Sequence, residues 1–264
     1  SVMEGCNKYC RYCIVPYTRG EEISRPYQDV LNEVKNLTEQ GAREIVLLGQ
    51  NVNDYQGSIT GTESMADLAL LIAAISKIPV VERIRFTTSH PFAFNHRLCN
   101  AFGEPMSKLC NHLHLPVQSG SNRILQAMKR DYTREEYLDI VKRLRLVSPN
   151  ITLSTDIIVG FPGETEEDFE ATLDLVQKVG FDHSFCFIYS ARPGTPAAEL
   201  DDPLPLTEKK ARLARLQSLL LQSRDAISNT LLHQTLDILV EDRSRTLEGG
   251  VMGRTQSNRP VHFQ

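Results

Sequence analysis

Three thiols lie close together near the start of the chain, in Cys6-Asn7-Lys8-Tyr9-Cys10-Arg11-Tyr12-Cys13. Gaps of three and then two residues make a loop tight enough for three thiolates to face one centre. The chain opens with no signal peptide, so its six cysteines are expected to be thiols of a reducing, cytoplasmic compartment and open to metal. A closed structural zinc site wants four ligands, and no second Cys-x-x-Cys or paired histidine lies nearby. A 4Fe-4S cubane held by three cysteines leaves one iron without a protein ligand, which is chemically useful. The triplet is read as a cluster site, with zinc as the alternative. Cys99, Cys110 and Cys186 are widely spaced inside helix or strand patterns and are expected to be ordinary buried or half-buried thiols.

A loop of this kind needs a scaffold to aim it. Short apolar strands alternate with amphipathic helices from residue 1 to about 206. The strands are read at Val2–Glu4, Glu44–Leu48, Arg83–Thr87, His112–Val117, Thr152–Val159 and Ser184–Tyr189, with helices near 27–40, 64–77, 94–102, 121–147 and 165–179. Gly41 and Gly180 stand where helix-ending glycines belong, and Thr165-Glu166-Glu167-Asp168 opens a helix with a cap and an acidic first turn. Buried-looking strands such as Ile45-Val46-Leu47-Leu48, separated by helices, imply an α/β fold with a parallel sheet that right-handed crossovers curl into a partial barrel. Chemistry in such folds gathers at the carboxyl ends of the strands. Polar and glycine-rich signals fall there five times: Gly49-Gln50-Asn51, Thr88-Ser89-His90, Gln118-Ser119-Gly120-Ser121, Gly160 to Glu164, and Ser190 to Gly194. Any one of these reads as a turn; five in succession read as one active face.

A helical connection follows over 207–232, and a β-rich tail over 233–264. The formal net charge of -4 gives no global attraction for nucleic acid, so RNA contact would rest on local clusters. No apolar run is long enough to span a membrane. The sequence begins with Ser1 inside a strand-like stretch and stops inside another, so a longer parent chain is expected.

Cys-x-x-x-Cys-x-aromatic-Cys after a first strand resembles the signature of the radical S-adenosylmethionine (radical SAM) enzymes. That resemblance implies a partial parallel (β/α)6 barrel and a 4Fe-4S cluster on Cys6, Cys10 and Cys13. It implies that S-adenosylmethionine chelates the open iron and is cleaved by one electron to methionine and a 5′-deoxyadenosyl radical. An electron donor such as flavodoxin or ferredoxin is implied with it. The residues matching the family's cofactor contacts are Tyr12 beside the adenine, Gly49 and Gln50 near the methionine amino group, Gln118 and Asp156 at the ribose hydroxyls, and Arg130 at the methionine carboxylate. For Asp156 a satisfied polar group in the barrel interior is the alternative; for Arg130, a solvated helix end.

The resemblance narrows over nearly the whole chain. Met3-Glu4-Gly5-Cys6, Val15 to Glu22, Ser24-Arg25-Pro26, Leu48-Gly49-Gln50-Asn51-Val52-Asn53, Phe86 to Pro91, His114 to Ser121, Gly160 to Glu164 and Ser190 to Ala197 are similar to the tRNA methylthiotransferases. This implies insertion of sulfur at carbon 2 of an N6-isopentenylated adenosine beside the anticodon, then methylation of that sulfur. The tail, with Gly253-Arg254-Thr255-Gln256-Ser257-Asn258-Arg259, resembles the start of a TRAM module, a small RNA-contacting β-barrel. Lys8, Arg11, Arg19, Arg25, Arg254 and Arg259 are candidates for phosphate contact on a tRNA anticodon stem-loop. The family also carries an N-terminal domain with three further cysteines and an auxiliary cluster for sulfur donation, and no second triplet occurs here. Two other readings stay open: a methylthiotransferase acting on an aspartate of a ribosomal small-subunit protein, and a metal-stabilised RNA-binding module without catalysis.

Overall fold

The computed structural model describes all 264 residues. Six strands lie side by side in chain order: Met3–Glu4, Glu44–Leu47, Arg83–Phe86, His112–His114, Thr152–Val159 and His183–Ile188. The first is tied to the second by the Val2 N–H, which donates to Leu48 O at 2.8 Å. The second and third pair in parallel, as do the fourth, fifth and sixth. Third and fourth are joined at Ile84, whose N–H donates to Lys108 O at 2.8 Å and whose carbonyl accepts from Cys110 N at 2.9 Å. No pairing returns the sixth strand to the first, so the barrel is partial.

Alternate strand residues explain the layers. Ile45, Leu47, Ile84, Leu113, Leu153, Ile157 and Val159 enter one large apolar core beneath the helices. Their neighbours Val46, Leu48, Ser154, Asp156, Phe185 and Phe187 point to the open interior, where Phe185 and Phe187 remain more than half exposed. The outer helices are Tyr27–Glu39, Leu68–Ser76, His96–Ala101, Arg134–Val147 and Glu166–Val179.

Four details differ from the sequence reading. Ile23–Ser24 pairs antiparallel with the first strand. Residues 64–77 are a strand, Met65–Asp67, hairpinned to Gln56–Ser58, before the helix starts at Leu68. The fourth ladder stops at His114: Leu115 N still donates to Ser154 O at 2.8 Å, but Val117 N turns to Thr155 Oγ1 at 2.9 Å, and pairing resumes at Gln118. The stretch 121–147 is two helices, Asn122–Ala127 and Arg134–Val147, with a loop between them.

After the sixth strand the helix Leu206–Thr230 packs back on the sheet, and Ile238–Arg243, Val251–Thr255 and Pro260–Phe263 form an antiparallel three-stranded meander. This sheet docks at the amino ends of the barrel strands, opposite the cysteines. Arg83 donates to Arg254 O at 2.6 Å and Asp237 O at 3.1 Å. Arg85 donates to Thr255 O at 2.8 Å, Gln256 O at 2.9 Å and the Glu44 carboxylate at 3.0 Å. Arg259 forms an ion pair with buried Asp182.

Candidate cluster and cofactor site

The cysteine loop leaves the carboxyl end of the first strand and is held by backbone bonds on several sides. Cys6 N donates to Gly20 O at 3.2 Å, Arg11 N to Met128 O at 3.0 Å, and Ala197 N to Arg11 O at 3.0 Å. Gly5 makes the entry possible: its φ is +73°, and a Cβ there would fall 1.9 Å from Glu21 O. Cys10 is buried and Cys6 and Cys13 are half-buried, all as free thiols. Burial pushes the Cys6 thiol up, and the nearby Cys10 and Cys13 sulfurs add to it; burial and Cys10 do the same to Cys13. Such a pocket favours thiolates only with a cation to neutralise them. No three metal-ligating side chains, these thiols included, are grouped to hold a single ion. A cubane asks for less, because each thiolate binds a different iron.

The strand ends converge around this loop. At the second, a Cβ on Gly49 would sit 2.4 Å from Met3 Cγ, so the first two strand ends meet there without room for a side chain. At the third, Asn53 clamps His90 through both backbone groups, each bond 2.8 Å. Four buried polar atoms at these two ends have no protein partner: Gln50 Oε1, Asn51 Oδ1, Ser89 Oγ and His90 Nε2. An unpaired buried polar group costs about 1–3 kcal/mol, so a polar ligand fits here. Burial, then the charges of Arg130 and Lys8, hold the His90 imidazole below its usual range, hence neutral.

Gln118 and Asp156 come together at the fourth and fifth ends: Gln118 N donates to Asp156 O at 2.8 Å and its carbonyl accepts from Ile158 N at 2.9 Å. Gln118 takes a φ of +70°, unusual for a side chain of its size. The Asp156 carboxylate lies 3.4 Å from His114 Nε2, and His114 Nδ1 is 2.9 Å from Ser154 Oγ. Tyr12 packs on a small apolar cluster of Ile124, Met128, Phe161, Tyr189 and Ala197, which brings the fifth and sixth strand ends under the cysteine loop.

Arg130 is no solvated helix end. It sits 4% exposed in the break between two helices, and its neighbours Lys129 and Asp131 both have positive φ, +56° and +55°. Nη1 donates to Tyr12 Oη at 3.3 Å and lies 3.4 Å from Cys10 Sγ; Nε donates to Tyr132 Oη at 3.1 Å and Nη2 to Pro116 O at 3.0 Å. Tyr132 in turn donates to Val117 O at 2.8 Å. Tyr132 and His114 escaped the sequence reading. The signal for the first was present: Thr133-x-x-Glu136 is a capping box, so a new helix begins at Arg134 and what precedes it is loop.

The basic residues separate into two groups. Arg254 is bonded to Glu241 and Arg259 to Asp182, both at the far end of the barrel, and neither is free for phosphate beside the cysteines. Arg25 pairs with Glu33, and Lys8 with Asp54 at 2.6 Å. Arg11, Arg19 and Lys129 are exposed around the cysteine loop. Exposed aromatics stand among them: Tyr9 and Tyr17 are edge to face at 6.0 Å, Lys129 is 5.8 Å from the Tyr9 ring, and Lys8 is 5.3 Å from that of Phe92.

Residues 1–176 match the Radical SAM superfamily, and the chain belongs to it. Membership brings that superfamily's two cofactors, S-adenosylmethionine and a 4Fe-4S cluster. Among curated proteins, the chain is 57% identical over 263 residues to a tRNA-2-methylthio-N(6)-dimethylallyladenosine synthase of Coxiella burnetii, matching 100% of this chain and 60% of that protein. The enzyme of the same name from Bordetella avium is 53% identical over 264 residues, again 100% of this chain and 55% of that one. The chain thus spans somewhat over half the length of these relatives. Two solved structures share the fold. A radical S-adenosylmethionine methyltransferase from Kitasatospora setae has a TM-score of 0.61 and 18% identity over 75% of this chain and 37% of its own. Coproporphyrinogen III oxidase from Escherichia coli has a TM-score of 0.53 and 17% identity over 83% of this chain and 50% of its own.

Proposed function

We propose that this chain is the catalytic core of a cytoplasmic tRNA methylthiotransferase, inserting sulfur at carbon 2 of an N6-isopentenyladenosine beside the anticodon and methylating it. Cys6, Cys10 and Cys13 would hold the cluster. Gly49 and Gln50, Gln118 and Asp156, and Tyr12 would receive the amino group, ribose and adenine of S-adenosylmethionine. Arg130 retains one uncommitted N–H, and so offers the methionine carboxylate a single hydrogen bond rather than a fork. Bound together and reduced by a donor such as flavodoxin or ferredoxin, the two cofactors supply a carbon-centred radical, a tool suited to an aromatic C–H that resists ordinary bases. The chain's own part is to seat the cofactors in a cleft of strand ends, and to hold His90 neutral.

The observation that carries the RNA reading is the rim around the cysteine loop. Tyr9, Tyr17 and Phe92 offer ring faces to unstacked bases, with Arg11, Arg19 and Lys129 for the backbone between them. An anticodon loop reduces the cost of turning a base out of its stack. Residues 233–264 are proposed as part of a TRAM-like module beyond the helical connection 207–232, with residues 1–206 as the barrel core.

The test is mass spectrometry of digested RNA after the full-length protein, reconstituted and reduced, has acted on an isopentenylated anticodon stem-loop. A methylthioadenosine product is expected, absent from the unprenylated stem-loop. Modification of a ribosomal-protein aspartate, with RNA untouched, would assign the other substrate class. From these 264 residues alone, S-adenosylmethionine cleavage without methylthio product is expected, since they hold one cysteine triplet.

A further inference from the structure

The Arg130 guanidinium has five N–H groups in a fixed plane, and four are already committed. Nε and one N–H of Nη2 are taken by Tyr132 Oη and Pro116 O, which fix the plane of the group. The two N–H groups of Nη1 then point at Tyr12 Oη and Cys10 Sγ, the latter 3.4 Å away. The sequence builds this arrangement from three departures from regular structure. The fourth ladder lapses around Pro116, whose carbonyl faces away from the fifth strand and is the one Arg130 takes. Lys129 and Asp131 flank Arg130 in the left-handed region, each at some backbone cost, and turn it inward. Tyr132 is anchored at Val117 O and presents its oxygen to Nε.

We infer that Arg130 is a positioning residue for the cluster itself: it donates a charge-assisted hydrogen bond to the Cys10 thiolate and raises the reduction potential of the iron bound there. This rests on the cluster assignment of Cys6, Cys10 and Cys13. A thiolate-ligated cluster gains negative charge when it takes one electron from a low-potential reductant. A buried, permanently cationic donor on one of its sulfurs therefore stabilises the reduced form more than the oxidised one. Second-sphere hydrogen bonds of this kind tune metal centres elsewhere. Tyr12, bonded to the same Nη1, is held by it, so one side chain ties the cluster ligand to the ring at the proposed adenine position.

The test is a redox titration of the reconstituted full-length protein without S-adenosylmethionine, followed by electron paramagnetic resonance, beside equilibrium binding of the cofactor. Iron content of the parent, measured first, separates a failure of the cluster assignment from a failure of this inference. Arg130→Gln, with iron retained, is expected to show a clearly more negative midpoint potential. Tyr132→Phe, which frees Nε but keeps the charge, is expected to shift it the same way by less. If Arg130→Gln loses the cluster, Tyr132→Phe decides by the same shift. An unchanged potential in an iron-loaded Arg130→Gln overturns the inference, whether or not cofactor affinity falls. If only Tyr132→Phe holds iron and its potential is unchanged, the inference is overturned as well.

Discussion

Cys10 and Cys186 show how little a residue's identity decides without its surroundings. Cys10 lies buried in a loop between two other thiols with a guanidinium at 3.4 Å. Cys186 is half-buried on the sixth strand, its thiol pushed up to about 12 by burial and then by Asp156. Cys10→Ala is expected to abolish the visible absorbance of the reconstituted cluster, and Cys186→Ala to leave it intact; iron analysis beside the spectrum checks both. The triplet stands out in the sequence because three thiols share one short loop. Tyr132 stands two residues from Arg130 in a loop that the capping box at Thr133 marked, whereas His114 meets Asp156 only through the pairing of the fourth and fifth strands.

At the scale of elements, Asp168 shows how the helices are locked to the site. It lies in the first turn of the helix Glu166–Val179 and accepts from Thr165, Ser121 and Arg123, joining that helix to Asn122–Ala127 and thus to the strand end carrying Gln118. Burial alone would raise its carboxyl, but the bonds from Arg123, Ser121 and Thr165 outweigh it and hold it at about 2. A carboxyl with a folded pKa below its unfolded one stabilises above the unfolded value and loses that contribution as pH falls through the folded value. Asp168→Asn is therefore expected to cost about 2 kcal/mol near neutrality, and progressively less from pH 4 to pH 2, read from denaturation curves of both proteins. The strands were readable because apolar runs bounded by Gly and polar residues leave few alternatives. The break before Arg134 was hidden because Met128-Lys129-Arg130 are good helix formers, and only the capping box marked the restart. Pro116 was visible, but the lapse of the fourth ladder around it depends on Thr155 of the neighbouring strand.

The whole molecule has two ends with different work. The carboxyl ends of the strands carry the cysteine loop, orphaned polar atoms and a rim of rings and cations. The amino ends are closed by the C-terminal sheet through Arg83, Arg85 and Arg259. The sequence offered all the arginines as equals, because charge alone does not say which end of a barrel it will occupy. Arg85→Ala strands the half-buried Glu44 carboxylate and two carbonyls, and is expected to destabilise the protein by about 3 kcal/mol in urea denaturation while leaving iron content unchanged. The double variant Arg11→Ala with Arg19→Ala is expected to do the reverse: native stability, weaker binding of the anticodon stem-loop, and a salt dependence shallower by about 0.7 for each phosphate no longer neutralised. Arg259→Ala should behave like Arg85→Ala and not like that pair.

One measurement reaches the centre of the proposed chemistry: formation of 5′-deoxyadenosine from S-adenosylmethionine by the reconstituted, reduced chain, followed by mass spectrometry beside Cys6→Ala, Cys10→Ala and Cys13→Ala. Steady formation by the parent is predicted, and none by any of the three variants. Equal formation in the parent and in the Cys10 variant would contradict the cluster assignment, and a folded parent that holds four irons and cleaves nothing would contradict the radical chemistry built on it.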